Sequence, residues 1–321
     1  MSKKTKIWLI VAFSLVLVGG LVLVGVMTML NWDFTKLNTS KLVSNTHTVT
    51  EDFQNISVTA ETAVITFVLS EDESTRVFCE EFENGTHTVS VKDGTLVVAL
   101  EDSRKWYQHI GFHWGTPKIT VSLPRQEYGA LTVKGSTGGV TIPNSFTFRD
   151  MDIAQSTGQV VSFASATGTV RIKTSTGHIR VENASVGALN LSVTTGKVTV
   201  SGVTCQGNIG LQVSTGKTTL TDTSCQNLTS DGDTGSLSLQ NVIATGTFSI
   251  ERSTGRVTFS DCDAAEIFVE TNTGDVTGSL LSEKVFITET DTGKVEVPKS
   301  VTGGRCEIET DTGDIHITVQ S

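Results

Sequence analysis

Ten Thr-Gly steps recur along the chain at intervals of 19 or 20 residues, ending on Gly138, Gly158, Gly177, Gly196, Gly216, Gly235, Gly255, Gly274, Gly293 and Gly313. A period this regular marks a stacked array in which each unit touches only its neighbours, not an ordinary globular core. Alignment on those glycines gives each place in the period a role. Seven residues before the Gly stand Leu131, Met151, Val170, Leu189, Ile209, Leu228, Phe248, Ile267, Phe286 and Cys306, all apolar. Five before stand Val133, Ile153, Ile172, Leu191, Leu211, Ile250, Val269 and Ile308, interrupted by Ser230 and Thr288. Two after, Thr218 alone breaks an apolar set; four after, Ser162 and Gly278 do so. Spacing by two is strand spacing.

Each unit therefore reads as strand, tight turn, strand and return segment, with two inward side chains per strand. A second corner falls six residues past the motif, at Asn144, Asn183, Gly202, Asp222, Asn241 and Asp261. A third falls nine before it, at Gly129, Gly168, Gly187, Gly207, Gly246 and Gly304. Three corners per turn predict an all-β chain: a single β-solenoid, or β-helix, of about ten coils over residues 129–321. Ahead of it, Ile56–Val58, Val64–Val68, Val89–Val91 and Leu96–Val98 alternate as strands without the period, with a turn signal at Asn84-Gly85. Residues 51–128 are thus expected to form an irregular N-terminal part of the solenoid that caps it. One coil cannot bury its apolar side chains alone, so both ends of the stack need covering.

The first thirty residues carry a different signal. From Ile7 to Leu30 no residue is charged, a run of 24. As a helix it would be roughly 36 Å long, enough for a hydrocarbon core of about 30 Å. Lys3, Lys4 and Lys6 precede it while Asn31, Trp32 and Asp33 follow, which predicts a cytoplasmic N-terminus and an extracytoplasmic remainder. The run is too long for a signal-peptide core and lacks a small-x-small site before Asn31. The expected organisation is a tail at 1–6, a transmembrane helix at 7–30 in the cytoplasmic membrane and a polar linker at 31–50. Past the helix, 21 basic residues face 34 acidic ones, a net charge of −13, which argues against nucleic acid as a partner.

Chemistry-bearing patterns are sparse. Glu251, Glu270, Glu289 and Glu309 all stand four before their Gly, and Asp291 and Asp311 two before, so stacking would gather them into two acidic rows; Lys134 and Lys173 fill the first slot in early coils. These rows read first as a plain solvated face and otherwise as a candidate interaction surface; a Ca²⁺ site would need a cage of six to eight oxygens. A second candidate lies between Arg104 and Thr116, where Trp106, Tyr107, Phe112 and Trp114 stand beside His109 and His113. The aromatics are expected to cover the open end of the column or to form a binding tip, and two histidines are too few for zinc. Asp-Thr-Gly at 233, 291 and 311 spells an aspartic-protease triplet, but side-by-side stacking does not bring two carboxylates face to face. The five cysteines include no CxxC, and Cys205 and Cys225, each nine past their Gly, are expected as inward free thiols. No hydrolase, nucleotide or dinucleotide fingerprint occurs. No catalytic, cofactor-binding or metal residues are expected, and the chain is not expected to be an enzyme.

Phe53-x-x-Ile56-x-Val58, the strand Ile119-Thr120-Val121-Ser122-Leu123-Pro124 and the string of Ser/Thr-Thr-Gly-x-Val units resemble the bacterial adhesin-like family of unknown-function domains that includes LiaG-like proteins. The resemblance spans roughly residues 51–321. It implies a β-helical extracytoplasmic domain, often tethered to the membrane and associated with cell-envelope stress systems, with no accepted catalytic residues to transfer. The expected function is a membrane-anchored binding or scaffold protein of the cell envelope, its partner an envelope protein or a cell-wall polymer. The alternative is a polysaccharide-active β-helix using a carboxylate pair such as Glu289 and Asp311.

Overall fold

A solenoid chain must bend at the same point in every rung, and the Thr-Gly step supplies that bend. At nine of the ten steps the Gly φ lies between 134° and 157°, a region L side chains rarely adopt. Contact imposes a second demand: a Cβ on Gly196 would stand 1.7 Å from the carbonyl oxygen of Gly177. The backbone of the neighbouring rung lies directly against the bend.

The computed structural model describes residues 2–34, 41–83, 85–102 and 115–320. An α-helix, Lys3–Met29 (α1), begins at Ser2, whose hydroxyl accepts the Thr5 N–H at 3.2 Å. Its apolar side chains point away from the rest of the chain, Met27 apart. Among the described residues it is the one helix long and apolar enough to cross a membrane.

The strands that follow are Leu42–Val49 (β1), Asn55–Thr62 (β2), Val64–Leu69 (β3), Thr75–Phe82 (β4), Gly85–Lys92 (β5), Thr95–Asp102 (β6), Lys118–Leu123 (β7), Glu127–Thr137 (β8) and Val140–Ile142 (β9). Thr147–Ser162 (β10), Ser165–Glu182 (β11) and Ser185–Ser201 (β12) then run straight through their Thr-Gly bends. Rungs pair parallel and in register, Gly158 on Gly177 and Gly177 on Gly196. The result is a β-solenoid of about ten turns.

The inward columns are those the period predicts. Leu131, Leu189, Leu228 and Phe248 are wholly buried on the first strand, Val160, Val198, Leu237 and Val257 on the second. The second corner also holds: Asn183, Asp222, Asn241 and Asp261 take positive φ, which short polar side chains tolerate. The return side is filled by small residues such as Ala166, Val186, Ala244 and Ala264, and by Cys205 and Cys225. Near the N-terminal end, Tyr128, Phe146 and Phe148 pack there instead, with ring centroids 5.8 to 6.3 Å apart. All five cysteines are free and buried, and burial pushes the Cys225 and Cys306 thiols up to about 12.

A polar inward column, three residues before the Gly, was not expected. It includes Gln155, Thr174, Arg252, Thr271 and Thr310, all buried. Arg252 fits because Gly232 in the neighbouring rung leaves space: a Cβ there would meet its Nη1 at 1.7 Å. Its guanidinium donates to Ser230 Oγ at 2.6 Å, which accounts for the serine that interrupts the apolar column. Desolvation holds the Arg252 pKa below its usual range.

Rung order departs from chain order at both ends. At the N-terminal end β2 lies on β8, with Thr62 opposite Thr137, so Ala63 takes the place of the bend glycine. β6 and β7, later in sequence, stack outside β2 and β3. β5, β4 and β1 then add antiparallel, ending the parallel stack. The β5–β6 hairpin turns at Asp93-Gly94, both at positive φ, as a two-residue hairpin requires; in the expected signal Asn84-Gly85, Asn84 lies outside the described residues. The expected linker at 31–50 contains β1, which is paired with β4 along its whole length. At the C-terminal end the last segments, Gly304–Thr312 and Ile315–Val319, insert between Glu266–Leu280 and Lys284–Glu296. The rung at 284–296 is thus outermost, and its Val295 is 43 % exposed where the equivalent Ile315 is buried.

Gly196→Ala is expected to cost about 2–4 kcal/mol, because strain and a backbone clash coincide. Gly94→Ala, with φ 68° and open space around its Cβ, should cost only about 1–2 kcal/mol. Urea unfolding followed by circular dichroism checks the difference; equal losses would contradict the close rung contact.

Candidate functional site

Parallel in-register stacking turns each outward position into a line that runs the length of the solenoid. Neighbouring side chains on such a line stand about 4.8 Å apart. Four residues before the Gly, the line reads Lys134, Ala154, Lys173, Ser192, Gln212, Asp231, Glu251, Glu270, Glu309, Glu289 in spatial order. It is basic toward the N-terminal end and acidic over its last five rungs. The acids do not follow sequence order, as Glu309 sits between Glu270 and Glu289. Glu251, Glu270, Glu289, Glu309, Asp291 and Asp311 are all exposed. Among the described residues the four glutamates of the line have no ion-pair partner. Like charges so close repel unless solvated, screened or bridged.

The period also builds lines that the sequence reading missed. Asp231 heads the acidic row. One residue past the Gly, His178, Lys197, Lys217 and Arg256 line the bend, with Ser236 among them, followed by Asp275, Asp314 and, outermost, Lys294. Arg256 reaches Asp275 at 2.8 Å; the Asp314 N–H and this guanidinium hold the Asp275 carboxyl below its usual range. Desolvation, with Lys197 and Arg180 nearby, lowers the His178 pKa. Between the two charge zones of the first face, small side chains leave a shallow trough of about 490 Å³. Asn190, Ser192, Gly210 and Thr229 line it, with Lys173 toward one end and Asp231 toward the other.

Trp106, Tyr107, Phe112 and Trp114, with His109 and His113, lie outside the described residues. Glu289 and Asp311 stand on neighbouring rungs, both exposed. A further group escaped the sequence reading altogether: Cys79, Glu81 and His87, from β4 and β5, bring potential ligand atoms within 4.8 Å of one another in the buried cap. No repeat position or short motif marks them, because the strands that assemble them lie outside the period.

Replacing Glu270 and Glu309 together by Gln should stabilise the fold by about 0.2–1 kcal/mol at low ionic strength, by removing a repulsive pair. The gain should vanish near 1 M salt, where the screening length falls to about 3 Å. Thermal unfolding at both salt concentrations checks it; no gain at low salt would mean that the row is neutralised by a bound partner ion or by neighbouring charge.

No curated protein matches the chain. Among solved structures, a candidate adhesin from Parabacteroides distasonis aligns over 88 % of this chain and 98 % of its own, with 13 % identity and a TM-score of 0.46. A candidate adhesin from Bacteroides fragilis aligns over 87 % and 97 %, with 14 % identity and a TM-score of 0.32. A Parabacteroides distasonis protein described as lipid binding aligns over 86 % and 96 %, with 12 % identity and a TM-score of 0.31. The sequence profile of one family, Toastrack DUF4097, matches residues 53–213. That segment is just over half of the 321 residues and takes in the cap and the first regular rungs, and the chain belongs to the Toastrack DUF4097 family.

Proposed function

We propose that this protein is a binding or scaffold module of the cell envelope, held at the cytoplasmic membrane by α1 and engaging its partner along the outward face of the first strands. The observation that carries the reading is the charge-ordered line from Lys134 to Glu289, whose four glutamates are exposed and, among the described residues, have no ion-pair partner. A rigid stack with a fixed repeat suits an extended partner with a repeat of its own, an envelope protein or a wall polymer with cationic groups. Lys3, Lys4 and Lys6 before the apolar helix favour a cytoplasmic N-terminus, which would leave the solenoid outside. A role in envelope stress rests on the resemblance to LiaG-like proteins.

On this reading the chain is a binder, not an enzyme. Full-length protein in detergent should sediment with isolated cell-wall or membrane-protein fractions at low salt and be released as salt rises. The variant with Glu251, Glu270, Glu289 and Glu309 all replaced by Gln should lose most of that binding. Equal retention of both proteins would rule out the acidic row as the contact. A proximity label fused after Ser321 should mark extracytoplasmic partners; labelling of cytoplasmic proteins would reverse the orientation.

A further inference from the structure

Strand alternation in the cap assembles a donor set that the solenoid does not need. On β4, Cys79 and Glu81 are two residues apart and so face the same side, and β5 brings His87 to them; the three are 0 %, 1 % and 5 % exposed. Glu81 is held firmly: one oxygen accepts from Asn45 Nδ2 at 2.8 Å, the other from the His87 backbone N–H at 2.8 Å and lies 2.7 Å from His87 Nδ1. The remaining ring nitrogen of His87, Nε2, is buried and has no hydrogen-bond partner among the described residues. His47, two residues from Asn45 on β1, carries a second buried ring nitrogen without a hydrogen-bond partner among the described residues. Glu81 and His87 also line a cavity of about 200 Å³, with Leu100, Gly115 and Pro117 on its other walls.

We propose that Cys79, Glu81 and His87 bind one transition-metal ion of the zinc class inside the N-terminal cap. A thiolate sulfur, a carboxylate oxygen and an imidazole nitrogen are the donors that Zn²⁺ and Co²⁺ accept, whereas the hard cations Ca²⁺ and Mg²⁺ disfavour thiolate. Charge argues the same way. A dication with one thiolate, one carboxylate and a neutral imidazole sums to zero, so the occupied site buries no net charge. The metal–sulfur bond forms as Cys79 gives up its thiol proton to solvent. The proton between His87 and Glu81 passes to the free ring nitrogen, and one proton is released per ion. Asn45 and the His87 amide keep the carboxylate oriented, and the cavity gives room for water as the fourth ligand. By pinning β4 to β5, which share no backbone ladder among the described strand pairings, the ion would fasten the cap.

Full-length protein in detergent, stripped with a chelator and titrated with Co²⁺, tests this. One equivalent should bind with a sulfur-to-cobalt charge-transfer band, Zn²⁺ should displace it, and either ion should raise the unfolding temperature. Cys79→Ser should abolish the band, and Asn45→Ala should weaken binding about 10- to 100-fold. Lys299→Ala, at an exposed position far along the chain from the cap, should leave cobalt binding and its band unchanged. Absence of the band from the wild-type protein would overturn the proposal without reliance on any variant, leaving a buried Glu–His pair beside an inert thiol; so would a band that survives Cys79→Ser.

Discussion

The contact of one bend glycine with the carbonyl of the next governs this molecule. Because that approach leaves no room for a Cβ, every rung must bend at the same place and lie in register with its neighbours. Register then fixes which side chains point inward. It also makes each outward position a line, so a residue choice repeated at one place in the period becomes a surface feature tens of ångströms long. Fold and candidate binding face thus follow from a single backbone constraint.

The ends of the stack solve a different problem. A parallel solenoid can grow indefinitely unless its terminal edges are blocked. At the N-terminal end three antiparallel strands turn the growth direction back and add the polar cluster of Asn45, Glu81 and His87 beneath them. At the C-terminal end the chain folds back, placing its last rung inside its second-to-last. The apolar side chains of that outer rung are only partly covered, so the two ends of the solenoid differ in how they would meet another molecule.

Much of this was legible in the sequence because the period repeats. Leu191, Val198 and their counterparts in every rung but the outermost are buried as the spacing of two requires, and the polar residues Asn183 and Asp222 mark a true corner through their positive φ. Features that depend on contacts between rungs were not legible. Ser230 breaks the apolar column because Arg252, two residues before Thr254, donates to it over the space left by Gly232. Local pattern does not reveal spatial order: Glu309 follows Glu289 in the chain but lies between Glu270 and Glu289 on the surface. The strand at 42–49 reads as a polar tether because its partners on β4 are 26 to 40 residues further along the chain. The cluster in the cap was hidden for the same reason.

The most direct test is the adjacency of rungs on the acidic line. Cysteines at Glu270 and Glu309 would sit on neighbouring parallel strands, with a Cα separation of about 4.8 Å that lies within disulfide range. Cysteines at Glu270 and Glu289 would be two rungs apart, roughly 9.6 Å, beyond that range. Under mild oxidation in the native state the first pair should cross-link and the second should not. Cross-linking of the second pair alone would mean that the rungs stack in chain order and that the lines of charge described above are wrongly assembled.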